Sequence, residues 1–234
     1  MVFRAEVGTS KGQCTKVTSM SKPLDGAIDG LLNQSISLPD VLRSLLVVTR
    51  RIEAVEVTRW IYNELNGYDI KSDVPNYRVL AAPVIELKFD GPYQSRRTIT
   101  LSSLELHKSL RLPEVKMRQP IAELAELALL EEKTGISLPG YWVQNYRNLA
   151  DQGKASTMAG MILNDGSIII PKTFIVGIID RIRTSALNLA LDFEQVSKEA
   201  GTATGPTIEQ LPGLATASSS FISSIYSSPG SEAF

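Results

Sequence analysis

The sequence predicts an α+β fold: a predominantly helical bundle with a long C-terminal helix and a small antiparallel β element. Three observations predict it. Apolar residues recur at helical spacing over most of the chain. Period-two alternation gathers around residues 84–101, on either side of the turn residues Asp90-Gly91-Pro92. The longest helical stripe, Lys172 to Glu199, would span on the order of 42 Å, and it comes late in the chain.

The elements follow in order from a polar N-terminal extension. Pro23 suits a first helical turn, and Leu24, Ile28, Leu31 and Leu32 follow at helical spacing. Ser37 can cap a second helix whose apolar side is Val41, Leu42, Leu45, Leu46 and Val48, and Asp40 favours its positive end. A third helix runs from about Glu53 to Asn66 through Val55, Val57, Trp60, Ile61 and Leu65, and Gly67 is placed to end it in the left-handed conformation. Tyr77 to Phe89 and Arg96 to Leu101 form a β-hairpin. Helices are expected over Pro120–Glu132 and Tyr141–Ala150. Asn164-Asp165-Gly166, between Ile162-Leu163 and Ile168-Ile169-Ile170, predicts a tight turn joining two short strands. The long stripe then holds Ile175, Ile178, Ile179, Ile182, Ala186, Leu189, Ala190 and Phe193 on one face. Past Glu199, Gly201, Gly205, Pro206, Pro212, Gly213 and Ser218-Ser219-Ser220 mark a flexible linker, with a reach of about 25 Å over its first twenty or so residues. It leads to an apolar segment of Phe221, Ile222, Ile225 and Tyr226.

Composition narrows the function. Lys and Arg number 24 against 25 Asp and Glu, for a formal net charge of -1, so nucleic acid is a poorly matched partner. Cys14 is the only cysteine, which excludes an intrachain disulfide and a cysteine-rich zinc site and suits a cytoplasmic protein. No signal-peptide pattern opens the sequence, and no apolar run reaches the length of a membrane span.

Several motifs taken together resemble a known family. Trp60-x-x-x-Glu64-Leu65-Asn66-Gly67-Tyr68 closes the third helix, and Pro75-x-Tyr77-Arg78-Val79 follows shortly after. Arg118-Gln119-Pro120-Ile121-Ala122-Glu123-Leu124 opens a middle helix, and Ile178-Ile179-Asp180-x-Ile182-Arg183 lies in the last. In order and spacing, over roughly residues 24–195, these blocks resemble the AbiTii family of bacterial abortive-infection domains. Ile182 stands where the family pattern usually has valine, and the resemblance offers nothing for the tail. It implies an anti-phage setting and brings no catalytic residues. The chain is thus divided into an extension over residues 1–23, an AbiTii-like domain over 24–199, and a flexible linker with an apolar tail segment over 200–234.

The residues themselves point away from catalysis. His107 is the only histidine and lies among Glu105, Leu106 and Lys108 with no metal-like neighbour, and Cys14 sits in a polar extension. No phosphate-binding loop is present, and no cofactor or metal is expected. Trp60, Tyr68 and Tyr77 allow two readings. Either they belong to the core, with Glu64 and Asn66 satisfying backbone or a buried arginine such as Arg78, or they line an aromatic ligand pocket. Asp180 and Arg183 share a helix face and can pair. Phe221, Ile222, Ile225 and Tyr226 are the candidate contacts for a partner, since exposing them would cost solubility. Their alternative is to fold back on their own domain. The expected function is a non-catalytic interaction or sensor module that works with another defence protein or by self-association through the tail. The alternatives are an enzyme using carboxylates and arginines, and a nucleic-acid sensor built on Arg50, Arg51, Arg96 and Arg97.

Overall fold

The computed structural model of the protein describes residues 22–131 and 133–227. Three helices open the described chain: α1 (Pro23–Leu32), α2 (Leu38–Arg51) and α3 (Val55–Asn66). Their starts follow local chemistry. Pro23 occupies the first turn of α1, and the Ser37 hydroxyl accepts from the Asp40 amide at the start of α2. Arg50 and Arg51 lie in the last turn of α2, where the helix dipole favours them. The buried faces are Leu24, Ala27 and Leu31 of α1, Val41, Leu42, Leu45 and Val48 of α2, and Val57, Trp60 and Ile61 of α3.

The spine is α6 (Lys172–Val196), which buries Ile175, Ile178, Ile182, Ala186, Leu189, Ala190 and Phe193 against α1, α2 and α4 (Ile121–Leu129). It ends at Val196 because Ser197 turns extended, three residues before the sequence stripe runs out.

The β element is a four-stranded antiparallel sheet with β3 (Arg96–Ser102) and β5 (Thr134–Ser137) at its edges and β2 (Val84–Asp90) and β6 (Ile162–Ile170) inside. Its inner face carries Ile85, Leu87, Phe89, Leu163 and Ile168, packed against Trp142 and Tyr146 of α5 (Gly140–Asp151). A second, two-stranded ladder pairs β1 (Val79–Leu80) with β4 (Val115–Lys116). The outer face of the large sheet is charged. Glu86 meets Lys133 at 3.0 Å, and Lys88 lies between Glu86 and Asp165.

Three expectations are corrected. Asn164-Asp165-Gly166 is no turn: β6 runs straight through it, and Asn164 is the extra residue of a bulge where Lys88 pairs Asp165 and Phe89 pairs Leu163. Gly166 is there for space, since a Cβ would come within 3.0 Å of both Leu87 and Leu138. The expected strand from Tyr77 to Phe89 is broken, with a 3-10 turn over Asn76–Arg78, then β1, then β2.

The third correction concerns residues 197–226, which are built into the fold and do not form a free spacer. Ala200 is fully buried. Gly201, at φ +75°, presses on Val48 where any Cβ would clash, and its carbonyl accepts from Arg51 Nη1 at 2.9 Å. The Ile208 amide donates to the Ile52 carbonyl at 2.9 Å. The chain then forms α7 (Pro212–Tyr226), which lies against α3 and α6. Among the described residues, no helix is long and apolar enough to cross a membrane.

Candidate functional site

The site assembles around the C-terminal half of α3. Trp60 and Glu64 are one turn apart on its buried face. Gly67 ends the helix at φ +90°, a conformation that a side chain resists, and a Cβ there would also lie 2.9 Å from the Arg118 carbonyl. That same carbonyl accepts the Tyr68 amide at 2.8 Å. The chain thereby reverses, and Tyr68 folds back so that its hydroxyl donates to Glu64 Oε1 at 2.7 Å.

The 3-10 turn over Asn76–Arg78 closes the other side. The Tyr77 hydroxyl donates to Glu64 Oε1 at 2.8 Å and accepts from Trp60 Nε1 at 2.8 Å. Arg78 Nε donates to Oε1 at 3.2 Å, and Nη2 forms an ion pair with Oε2. Both charged side chains are 0% exposed. Arg78 Nη1 donates to the Met117 and Gln119 carbonyls at 2.9 Å each, and the guanidinium lies 5.0 Å from the Tyr68 ring centroid.

Electrostatics hold the protons on the two tyrosines and the arginine of this cluster. Burial pushes the Tyr68 hydroxyl far above its ordinary value, and the neighbouring Glu64 carboxylate pushes the same way. Burial likewise raises Tyr77. At Arg78 burial opposes the charge, but Glu64 outweighs it and holds the guanidinium above its ordinary value. The arrangement is a buried ion pair in which both Glu64 oxygens are engaged.

Helix α7 covers the cluster. Leu214, Ser218, Phe221 and Ile225 are its buried residues, and the Phe221 ring meets Trp60 edge-on with centroids 4.8 Å apart. Ser218 spends its hydroxyl on the Leu214 carbonyl at 2.8 Å, so it asks nothing of the groove. Ile222 and Tyr226 are half-buried, and burial raises Tyr226 above its ordinary value. Near the end of α7, Asn76 Nδ2 donates to the Ser227 carbonyl.

Other sequence candidates lie elsewhere. Asn66 is exposed and bonds back to the Tyr62 carbonyl within its own helix. Arg183 does not pair with Asp180 among the described residues. It donates to the Leu31 and Ile36 carbonyls at 3.1 Å each and so closes the end of α1, while Asp180 faces solvent. His107 is exposed, with Nδ1 2.9 Å from Ser109 Oγ. Arg51 is engaged by Gly201 and Arg96 by Asp90 at 3.4 Å, on separate elements. Cys14 lies outside the described residues. Among those residues, no group of three or more His, Cys, Asp or Glu could hold a metal ion. Sequence reasoning missed the carbonyls of Met117, Arg118 and Gln119. Their only signal was the Arg118-Gln119-Pro120 block, which shows side chains and hides what the backbone does.

A model of the AbiTii family matches residues 25–210. The chain belongs to the AbiTii family. The match takes in the whole cluster from Trp60 to Arg78 and the Arg118 carbonyl that shapes it, and it stops short of α7. AbiTii membership suggests a role in abortive-infection defence against phage. No curated protein and no solved structure matches the chain.

Proposed function

We propose that this AbiTii protein is a non-catalytic interaction module of abortive-infection defence, and that α7 is its contact element. In the resting state Phe221 and Ile225 occupy the groove over Trp60. When α7 leaves, the same face, with Ile222 and Tyr226, docks in an apolar groove on another defence protein or on a second copy. The observation that carries this reading is the position of α7, a helix beyond the family match whose apolar face is laid over the family's own motif cluster. Its character supports exchange. The groove grips it chiefly through apolar contact, with polar contacts confined to its last turn at Tyr226 and Ser227, and Ser218 and Ser224 return their hydroxyls to α7's own carbonyls.

A lock tests the proposal. A Cβ at Gly213 would lie 3.8 Å from the Val196 Cβ, within the span of a disulfide. A Val196→Cys/Gly213→Cys protein, with Cys14→Ser to remove the native thiol, should capture its partner from phage-infected extracts only after reduction. Equal capture by the oxidised and reduced forms would defeat the proposal.

A further inference from the structure

β3 is an open edge of the sheet, and two bonds at its ends fix which way its backbone groups point. The Gly91 amide donates to the Ser95 carbonyl at 2.8 Å, and the Ser103 amide to the Pro83 carbonyl at 3.0 Å. Both continue the β2–β3 register, so alternation turns Arg97, Ile99 and Leu101 towards β2. The N–H and C=O groups of Arg96, Thr98, Thr100 and Ser102 point outward. Glu105 Oε2 accepts the Ser102 amide at 2.7 Å and closes that end. Among the described residues, nothing bonds the outward groups of Arg96, Thr98 and Thr100.

Exposed edges are ordinarily guarded by brevity, charged side chains, proline or a bulge. The opposite edge, β5, is guarded by brevity at four residues. β3 has seven residues, no proline and an unbroken register with β2, and its charges, Arg96 and Arg97, are confined to its first two positions.

Its open groups are complementary to themselves. A two-fold axis through Thr98 sets Arg96 against the partner's Thr100 and Thr98 against the partner's Thr98. Every open N–H then meets a C=O, about six hydrogen bonds in all. Shifted axes fail. Centring on Arg97 brings Thr100 against the hairpin turn, on Ile99 brings Arg96 and on Thr100 brings Thr98 against the occupied Ser102, and on Arg96 sets like charges face to face. In the Thr98 register Arg97 lies opposite the partner's Ile99, so no arginine opposes another, and the central Thr–Thr pair is itself favourable. We infer that the chain dimerises by antiparallel pairing of β3 with β3 of a second copy, with the two-fold axis at Thr98 and the two sheets joined into one of eight strands.

Analytical ultracentrifugation of the full chain tests this, with melting midpoints as the control on folding. Thr98 is exposed, and its amide makes no bond inside the fold. Thr98→Lys, Thr98→Glu and Thr98→Pro should therefore melt as the native chain does, since proline is tolerated where an edge N–H faces outward. Each should raise the dimer dissociation constant about tenfold or more, because the axis sets the new residue against itself. An equimolar mixture of the Lys and Glu variants should recover dimer. A native chain that stays monomeric, or a dimer indifferent to Thr98, would overturn the inference. So would dimer that appears only after removal of residues 1–21, or a dimer lost on locking α7 and not on changing Thr98.

Discussion

Glu64 accepts from two tyrosine hydroxyls and from two nitrogens of Arg78, and both charged side chains are out of solvent. Removing one partner of such a pair leaves a buried charge, at a cost of about 3–5 kcal/mol. The pairing was legible in part. A glutamate on an apolar helix face followed by Asn66-Gly67-Tyr68 calls for a buried cation, and Arg78 is the nearest arginine downstream. The Asp180 and Arg183 spacing was equally suggestive yet gave no pair, because carbonyls at the end of α1 offered Arg183 better acceptors than an exposed carboxylate. The protonation state carries its own prediction. Tyr68 and Tyr77 hold their protons in the folded state above the ordinary value of 10.0. Above that pH the unfolded chain binds fewer protons than the folded one, so stability is intact below about pH 10 and falls as pH rises. Each such tyrosine contributes about 1.4 kcal/mol per pH unit to the fall. Urea unfolding between pH 9 and 11 should show this slope, and Tyr68→Phe should make it shallower by about that amount. An unchanged slope in the variant would mean that Tyr68 ionises freely in the folded protein.

Helices with a clean 3.6-residue stripe were readable from the sequence, because α1, α2, α3 and α6 each bury one face against the others. Strands were harder. β5 is Thr-Gly-Ile-Ser, too short and too polar to alternate visibly, and Gly166 looked like a turn because its cause, the Leu87 and Leu138 side chains, lies elsewhere in the chain. The tail misled for a compositional reason. Its Ser, Thr and Gly content reads as linker, while Leu214, Phe221 and Ile225 sit on one helical face and are buried. Phe221→Ala should therefore destabilise the protein by about 3 kcal/mol, as buried Phe truncations do. Truncation before residue 212 should lower the melting midpoint also. Trp60→Ala, at the other side of the same contact, should cost about 3–5 kcal/mol. Calorimetry that finds the Phe221→Ala midpoint unmoved would place the ring outside the core.

At the scale of the whole molecule, the AbiTii match and the described core nearly coincide, and α7 is the element laid on afterwards. Its interior carries five serines and a threonine, poor helix formers that rely on docking to stay helical. A helix of that kind, held chiefly by Leu214, Phe221 and Ile225, is suited to open as a unit below the global unfolding energy. If release costs about 3 kcal/mol, under one per cent of molecules are open at rest, and a partner must bind the open form tightly enough to offset that fraction. Native-state hydrogen exchange tests this claim most directly. The amides of residues 214–226 are predicted to exchange by local opening, at a free energy several kcal/mol below that of residues 178–193 in α6. If α7 exchanges only with global unfolding, at the same free energy and denaturant dependence as α6, the tail is a fixed part of the core and the account of an exchangeable contact helix is contradicted.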